Sequence, residues 1–484
     1  MNVLHPSRSE HYGKAGVLLA MLAGCTVALV SGNLYWLGLG PVCVMAGLAL
    51  RSPGNLYFLL LATIPLSAEV MLTETLGTDL PDEPLMWLLN LLLILYAVIY
   101  RKRIAEIKAD GILTGLLIAH LAWIFIAATM STDPLLSFKY VAAKTWYLLA
   151  FTAASWLFLR TAKDLRLAAW LLILPMTFAC IWILLVHGAT GFSFDSVNTA
   201  VQPFFRNHVN YGAILVCLLP LPLVFFRHLP RFRLLLWLIL LVWLLALSLS
   251  YSRGAWVAAG VGLLAAAAIR FRVLAAAAFV SVVLVSILLF YFIQGNRYLD
   301  FRPDFERTIY HQDFRDHLRA TYRLKDLSTA ERFHRWIAGA RMVEDVPFFG
   351  HGPNRFYPAY KPYTVNAFQT YVSENPERST VHNYFLLLAV EQGIPGLMIF
   401  LLLIWRAFYL TGTHYRNARS GLERHAWLAV GSMLAMIAWL NMLSDLVETD
   451  KIGSLFFICI GLLIGGNSLF RNTDLASQED SSQG

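Results

Sequence analysis

The sequence predicts an all-α, polytopic integral membrane protein, and three observations carry that prediction. The 484-residue chain is 58% hydrophobic and only 14% charged, with a mean hydropathy of +0.60, far from the balance of a soluble domain. Apolar runs of sixteen or more residues recur along it, each able to cross or nearly cross a hydrocarbon core of about 30 Å as helix. Alternating β-barrel patterning does not occur, so helices are the spanning solution that remains.

Spans are expected near 16–31, 33–50, 56–72, 84–100, 112–130, 140–159, 166–186, 209–226, 232–251, 254–270, 273–293, 383–406, 426–443 and 453–470, about fourteen in all. This divides the chain into residues 1–293 with about eleven helices, a loop at 294–381, residues 382–470 with about three more, and a polar tail at 471–484 with the composition of a disordered segment. With a cytoplasmic N-terminus, the inside loops hold "RKRIAEIK" (101–108), "RTAKDLR" (160–166), "RHLPRFR" (227–233), "RFR" (270–272) and the basic stretch 406–425. The acidic "TETLGTDLPDEP" (73–84) and "SDLVETD" (444–450) fall outside, as the positive-inside rule requires. The formal charge of +8 therefore reads as a topology signal rather than as affinity for nucleic acid.

The five cysteines (Cys25, Cys43, Cys180, Cys217, Cys459) lie inside apolar runs without paired spacing, as small core residues do. "LAGC" (22–25) looks like a lipoprotein cleavage site, but the next span follows almost at once and small residues are common in membrane helices.

The long connection lies outside in this topology, and a loop of such length in a compact protein is usually functional. Within it, "STAERFHRWIAGARMVEDVPFFG" (328–350) carries a helix signal: Ser328 or Thr329 can cap, and Phe333, Trp336, Ile337, Ala340 and Val343 form one apolar face flanked by Arg332 and Arg335. Such a helix would lie on the membrane surface or over the bundle as a lid.

Three further stretches fall on the same side: "FFRNHVNYG" (204–212) with Arg206 and His208, "SLSYSRGAW" (248–256) with Arg253 in a tiny turn, and "STVHNYFLLLAVEQGIPG" (379–396) with His382 and Glu391. With Arg332 and Arg335 they describe an electropositive chamber. Guanidinium forks match phosphate oxygens and stay charged where water is scarce, so a lipid-linked pyrophosphate suits it. The plainer alternative is that interfacial arginines snorkel or hold lipid headgroups. For His382 the plainer alternative is a capping or interfacial residue. A cap at Ser379 or Thr380 would put it in a first helical turn, where the dipole favours the neutral imidazole that a general base must be. Glu391 reads equally as a buried residue paired with a neighbouring helix. His311, His317, His334 and His351 lack ligand spacing, so no metal site is expected. There is also no phosphate-binding loop, dinucleotide fingerprint or zinc-protease motif, and no cofactor is expected.

The order of these motifs resembles the bacterial O-antigen ligase and O-antigen polymerase family. The resemblance rests on an arginine and "NYG" before a span, "SRG" at a short outer turn, "ERFHRWIAGARMVEDVPFFGHGPNRF" in a large loop, then "VHNYFLLLAVEQGIPG". It covers roughly residues 200–405; the first two hundred residues match only in being hydrophobic helices. It implies a GT-C-type membrane glycosyltransferase in the bacterial inner membrane, with cytoplasmic termini and a periplasmic active site. Such an enzyme takes a glycan from undecaprenyl pyrophosphate, without metal, and passes it to lipid A core in the ligases or to another lipid-linked glycan in the polymerases. By the same resemblance His382 is the general base on the acceptor hydroxyl, and Arg206 and Arg253 hold the pyrophosphate. Arg332 is their loop partner, with Arg335, Asn383, His208 and Glu391 also on the substrate side.

Direct displacement would invert the anomeric centre, because no carboxylate pair is arranged for a covalent intermediate. The ligase reading is preferred to the polymerase. A lipid-linked oligosaccharide flippase or other secondary transporter is the competing class, but it should show repeat symmetry and polar groups near the midplane. A scaffold whose arginines bind only phospholipid is the third alternative.

Overall fold

The computed structural model describes residues 52–71, 77–295, 297, 327–370, 373–375 and 379–466. The expected spans at 16–31 and 33–50, the Cys25 motif and the tail at 471–484 lie outside the described residues, as do Cys43, His311 and His317.

The chain begins with α1 (Pro53–Thr63), capped by the Ser52 hydroxyl, which accepts from the Gly54 N–H. Here the expected single span at 56–72 is corrected. The helix stops after 11 residues, and the chain turns into β1 (Ala68–Met71), paired antiparallel with β2 (Gly77–Leu80) with Ala68 opposite Leu80. Two causes are visible. Pro65 has no N–H to continue the ladder, and the carbonyls of Ile64 and Ser67 accept from the Lys451 ammonium (2.8 and 2.9 Å) instead of serving a helix.

The remaining bundle comprises α2 (Asp82–Ile99), α3 (Gly111–Thr129), α4 (Pro134–Tyr147), α5 (Ala162–Ala189), α6 (His208–Leu218), α7 (Pro220–His228), α8 (Arg233–Leu249), α9 (Arg253–Arg270) and α10 (Leu274–Ile293). Further along the chain come α11 (Leu327–Asp345), α12 (Tyr384–Asn417), α13 (Gly421–Leu443) and α14 (Asp450–Gly465). α4 runs on through a π-helical turn, Leu148–Ala153, to Phe158, while Pro220 separates α6 from α7 within one crossing. Eight helical segments among the described residues are long and apolar enough to cross a membrane. The protein is thus a helical, polytopic membrane protein.

The core is laid along α9, which packs against α13, and α12, which packs against both α13 and α3. α9 is rich in Ala and Gly, so its backbone approaches α13 closely, and the Ser432 hydroxyl of α13 donates to the Gly262 carbonyl at 3.0 Å.

Successive crossings give the bundle two chemically distinct ends. One gathers the basic connections: Arg406 of α12 pairs with Asp110 at 2.6 Å before α3, and the imidazoles of His228 and His425 meet at 3.0 Å. The other gathers residues 64–82, 130–134, 187–210, 249–253, 380–384 and 443–451, together with α11. All the sequence-selected candidates lie at or near this second end.

Candidate active site at the acidic end of the bundle

His382 sits immediately outside α12. The helix is capped by Asn383, whose side chain accepts from the Leu386 N–H at 3.0 Å. This corrects the expected cap at Ser379 or Thr380: Asn383 forms the shorter Asx-type bond to the third helical N–H, and His382 falls just before it rather than in the first turn. His382 itself has φ +54°, a left-handed conformation that a non-glycine residue adopts at some cost. Its N–H points to the Thr380 hydroxyl at 3.4 Å, and Asn375 pins the approach with paired bonds to Ser379, both 2.9 Å.

Burial, then the positive charges of Arg332 and Arg335, hold the His382 imidazole down at about 3, so the ring is neutral at working pH. Both arginines come from α11, which packs on α12. Arg335 is buried and shares Glu331 at 3.2 Å, while its Nε is buried without a partner among the described residues. Glu331 also accepts from the Ser373 hydroxyl at 2.6 Å. The charge array is therefore fixed by side chains of the loop itself. His334, beside it on α11, is likewise lowered by burial.

Arg253 lies at the same end of the bundle, on a different helix. It opens α9 after Ser252, in a turn made possible by left-handed Tyr251, whose hydroxyl donates to the Phe192 carbonyl at 2.6 Å. A Cβ on Gly254 would lie 3.5 Å from the side chain of Leu443, and the next residue, Ser444, receives the Tyr384 N–H through its carbonyl at 3.1 Å. Residues 443–445 thus stand between the start of α9 and the start of α12. Asp445 is half-buried there; its carboxyl is pushed up by desolvation and eased back by the Thr380 hydroxyl.

The other selected residues separate. Arg206 is exposed and lines a cavity of about 430 Å³ that it shares with Glu69, Asp79, Glu448, Asp450 and Lys451. His208 opens α6, with its Nδ1 2.8 Å from the Asn198 side-chain oxygen. Glu391 faces the protein: its carboxylate accepts the backbone N–H groups of Asn354 and Phe356 at 2.9 and 3.0 Å.

Five residues that sequence reasoning passed over line a second cavity, of about 300 Å³: Tyr140, Lys144, Tyr147, Asp445 and Glu448. Lys144 is only 5% exposed and pairs with Glu448 at 2.7 Å, and the Tyr140 hydroxyl donates to the same carboxylate at 2.8 Å. A lysine inside the expected span at 140–159, one turn from its start, was the available signal, since ionisable groups inside membrane helices are expensive and seldom idle. Among the described residues no group of three or more His, Cys, Asp or Glu side chains is arranged to hold a metal ion.

No curated protein matches the chain. Residues 238–401, which include the "SRG" turn, α11, His382 and the Gly393 break, match the family model described as O-Antigen ligase; over that third of its length the chain is similar to that family.

Proposed function

We propose that the protein is a glycosyltransferase of the bacterial inner membrane that moves a polysaccharide from undecaprenyl pyrophosphate to a hydroxyl of lipid A core, at the periplasmic face. The basic connections at the opposite end support a cytoplasmic placement for that end. The observation that carries the reading is the neutral imidazole of His382, held by a left-handed turn beside the guanidinium groups of Arg332 and Arg335.

In this reaction the acceptor oxygen attacks the anomeric carbon and the bond from that carbon to the pyrophosphate oxygen breaks. The hydroxyl proton passes to His382, and undecaprenyl pyrophosphate departs with the bonding electrons. A base must meet the acceptor, and fixed positive charge must meet the leaving group. His382 serves the first need; Arg253, Arg332 and Arg335 serve the second, with Arg206 at the rim and Asn383 holding the His382 turn. The bound diphosphate also offsets the charges that depress His382, so the base strengthens when the donor is in place.

The test is complementation in a host lacking its own ligase, at equal membrane levels of wild type and His382→Ala. Glycan on lipid A core with wild type, and glycan left on the lipid carrier with the variant, is the expected result. Longer lipid-linked chains without attachment would make the protein a polymerase, and a variant equal to wild type would end the role of His382.

A further inference from the structure

A transferase of this kind needs a place for the acceptor sugar, and that place must lie close to the base. Of the two cavities described above, His382 itself lines neither, but one comes near it. The 300 Å³ cavity is bordered by Thr380, two residues from His382, and by Asp445, whose carboxyl meets the Thr380 hydroxyl. The Arg206 cavity includes no residue of the 379–383 segment. The two share Glu448, so a single carboxylate stands between them.

The chemistry of the first cavity fits neutral hydroxyls better than phosphate. The charge of Lys144 is already met by Glu448 at 2.7 Å, and the remaining polar wall presents Tyr140, Asn354, Thr380 and the carboxyl groups of Asp445 and Glu391, with Lys139 at its exposed edge. Its volume is at the lower end of the range for small-molecule sites, about 300–1,000 Å³. One group in it is unused by the fold: the Tyr147 hydroxyl is buried and has no hydrogen-bond partner among the described residues. Buried hydroxyls are almost always bonded, so an orphan on a cavity wall marks a place where something else donates or accepts. The ion pair points the same way. Desolvating two charges costs several kcal/mol each, about what their attraction returns, so Lys144 and Glu448 contribute little net stability and a shaped polar wall instead.

We propose that this cavity, between α4 and the connection 444–449, is the subsite for the acceptor's sugar, with Tyr147 and Tyr140 meeting its hydroxyls and Lys139 at the mouth. The assignment rests on the glycosyltransferase reading. It places the acceptor on the His382 side of the reacting carbon, which leaves the opposite side for the departing diphosphate.

Tyr147→Phe tests it with little risk to folding, because the hydroxyl it removes has no protein partner. The full-length chain in detergent is titrated with a tritiated lipid A core oligosaccharide, without donor, and transfer kinetics follow with a lipid-linked glycan. Loss of one hydrogen bond predicts about tenfold weaker binding and an equal rise in acceptor KM, with donor KM and melting temperature unchanged. Lys139→Gln, at the exposed mouth, should move acceptor binding the same way. Unchanged core binding in both variants overturns the subsite, and so does a rise confined to donor KM. If wild type binds core and Tyr147→Phe does not, yet no glycan is transferred, the subsite stands and the enzymatic reading falls.

Discussion

Glu391 and Asn354 lie 37 residues apart, yet the carboxylate of one holds the backbone N–H of the other at 2.9 Å, and the same carboxylate takes the Phe356 N–H at 3.0 Å. The surrounding geometry shows why. α12 breaks at Gly393, where φ is +71°, freeing the carbonyls of Val390, Glu391 and Gln392. These are taken by the N–H groups of His351 (2.8 Å) and Gly352 (3.0 Å) and by the Trp123 indole (2.8 Å), while Ile394 donates to Pro347 at 2.8 Å. The segment 347–356 is thereby tied into the bundle about 10 Å along α12 from its start, at 1.5 Å per residue, and broken backbone at that depth is tolerated because protein groups satisfy it.

Glu391→Gln is therefore expected to loosen the loop rather than remove a reacting group. The amide nitrogen would oppose one backbone N–H, leaving a buried donor unmet at a cost of about 1–3 kcal/mol. Thermal melting in detergent should fall, and limited proteolysis should cut within 347–356 faster than in wild type. An unchanged melting curve with lost activity would return Glu391 to the substrate.

Gly212 of the "NYG" motif answers to the same kind of test. A Cβ there would come within 2.7 Å of the Ser252 side chain, the residue before Arg253. The glycine thus lets α6 approach the turn that aims Arg253. Gly212→Ala should destabilise by about 1–3 kcal/mol through overpacking and reduce transfer. Ser252→Gly added to it should recover much of both, which a double-mutant cycle would register as coupling.

How far the sequence reached depends on what kind of information each residue carries. Periodicity and run length located the helices from 84 onward, because an apolar run in lipid has few other solutions. They failed at 56–72, where the decisive partner of the backbone, Lys451, is nearly four hundred residues away. α11 was legible as a helix from its apolar face, and His382 and Arg253 drew attention because they stand in short motifs beside span ends. Glu391 was legible as important, but its partners are backbone N–H groups of a distant loop, which no side-chain pattern encodes. Tyr140, Tyr147 and Glu448 were illegible: each is ordinary in its own segment and gains meaning only where α4 meets the 444–449 connection.

The pH dependence of His382 has a definite sign. Its folded value lies near 3, below the ordinary 6.5, so the unfolded chain binds the proton more readily. This group therefore lowers stability as pH falls from about 6.5 toward 3 and contributes nothing of this kind above that window. For activity, the acid limb of kcat/KM reports free enzyme and that of kcat the donor complex. Because the diphosphate offsets Arg332 and Arg335, the limb in kcat should lie at higher pH than the limb in kcat/KM. Coincident limbs would mean that the arginines do not meet the donor's charge.

The Lys144–Glu448 pair separates structural need from function. Lys144→Met leaves the Glu448 carboxylate with the Tyr140 hydroxyl but without its cation, and breaking a buried pair from one side costs about 3–5 kcal/mol. Glu448 retains 21% side-chain exposure, so the lower part of that range is expected. The double variant Lys144→Met, Glu448→Gln removes both charges and should regain most of the lost melting temperature. If the pair shapes the wall of an acceptor subsite, that refolded protein still transfers poorly, with the defect in acceptor KM. If the pair serves only the bundle, activity returns together with stability.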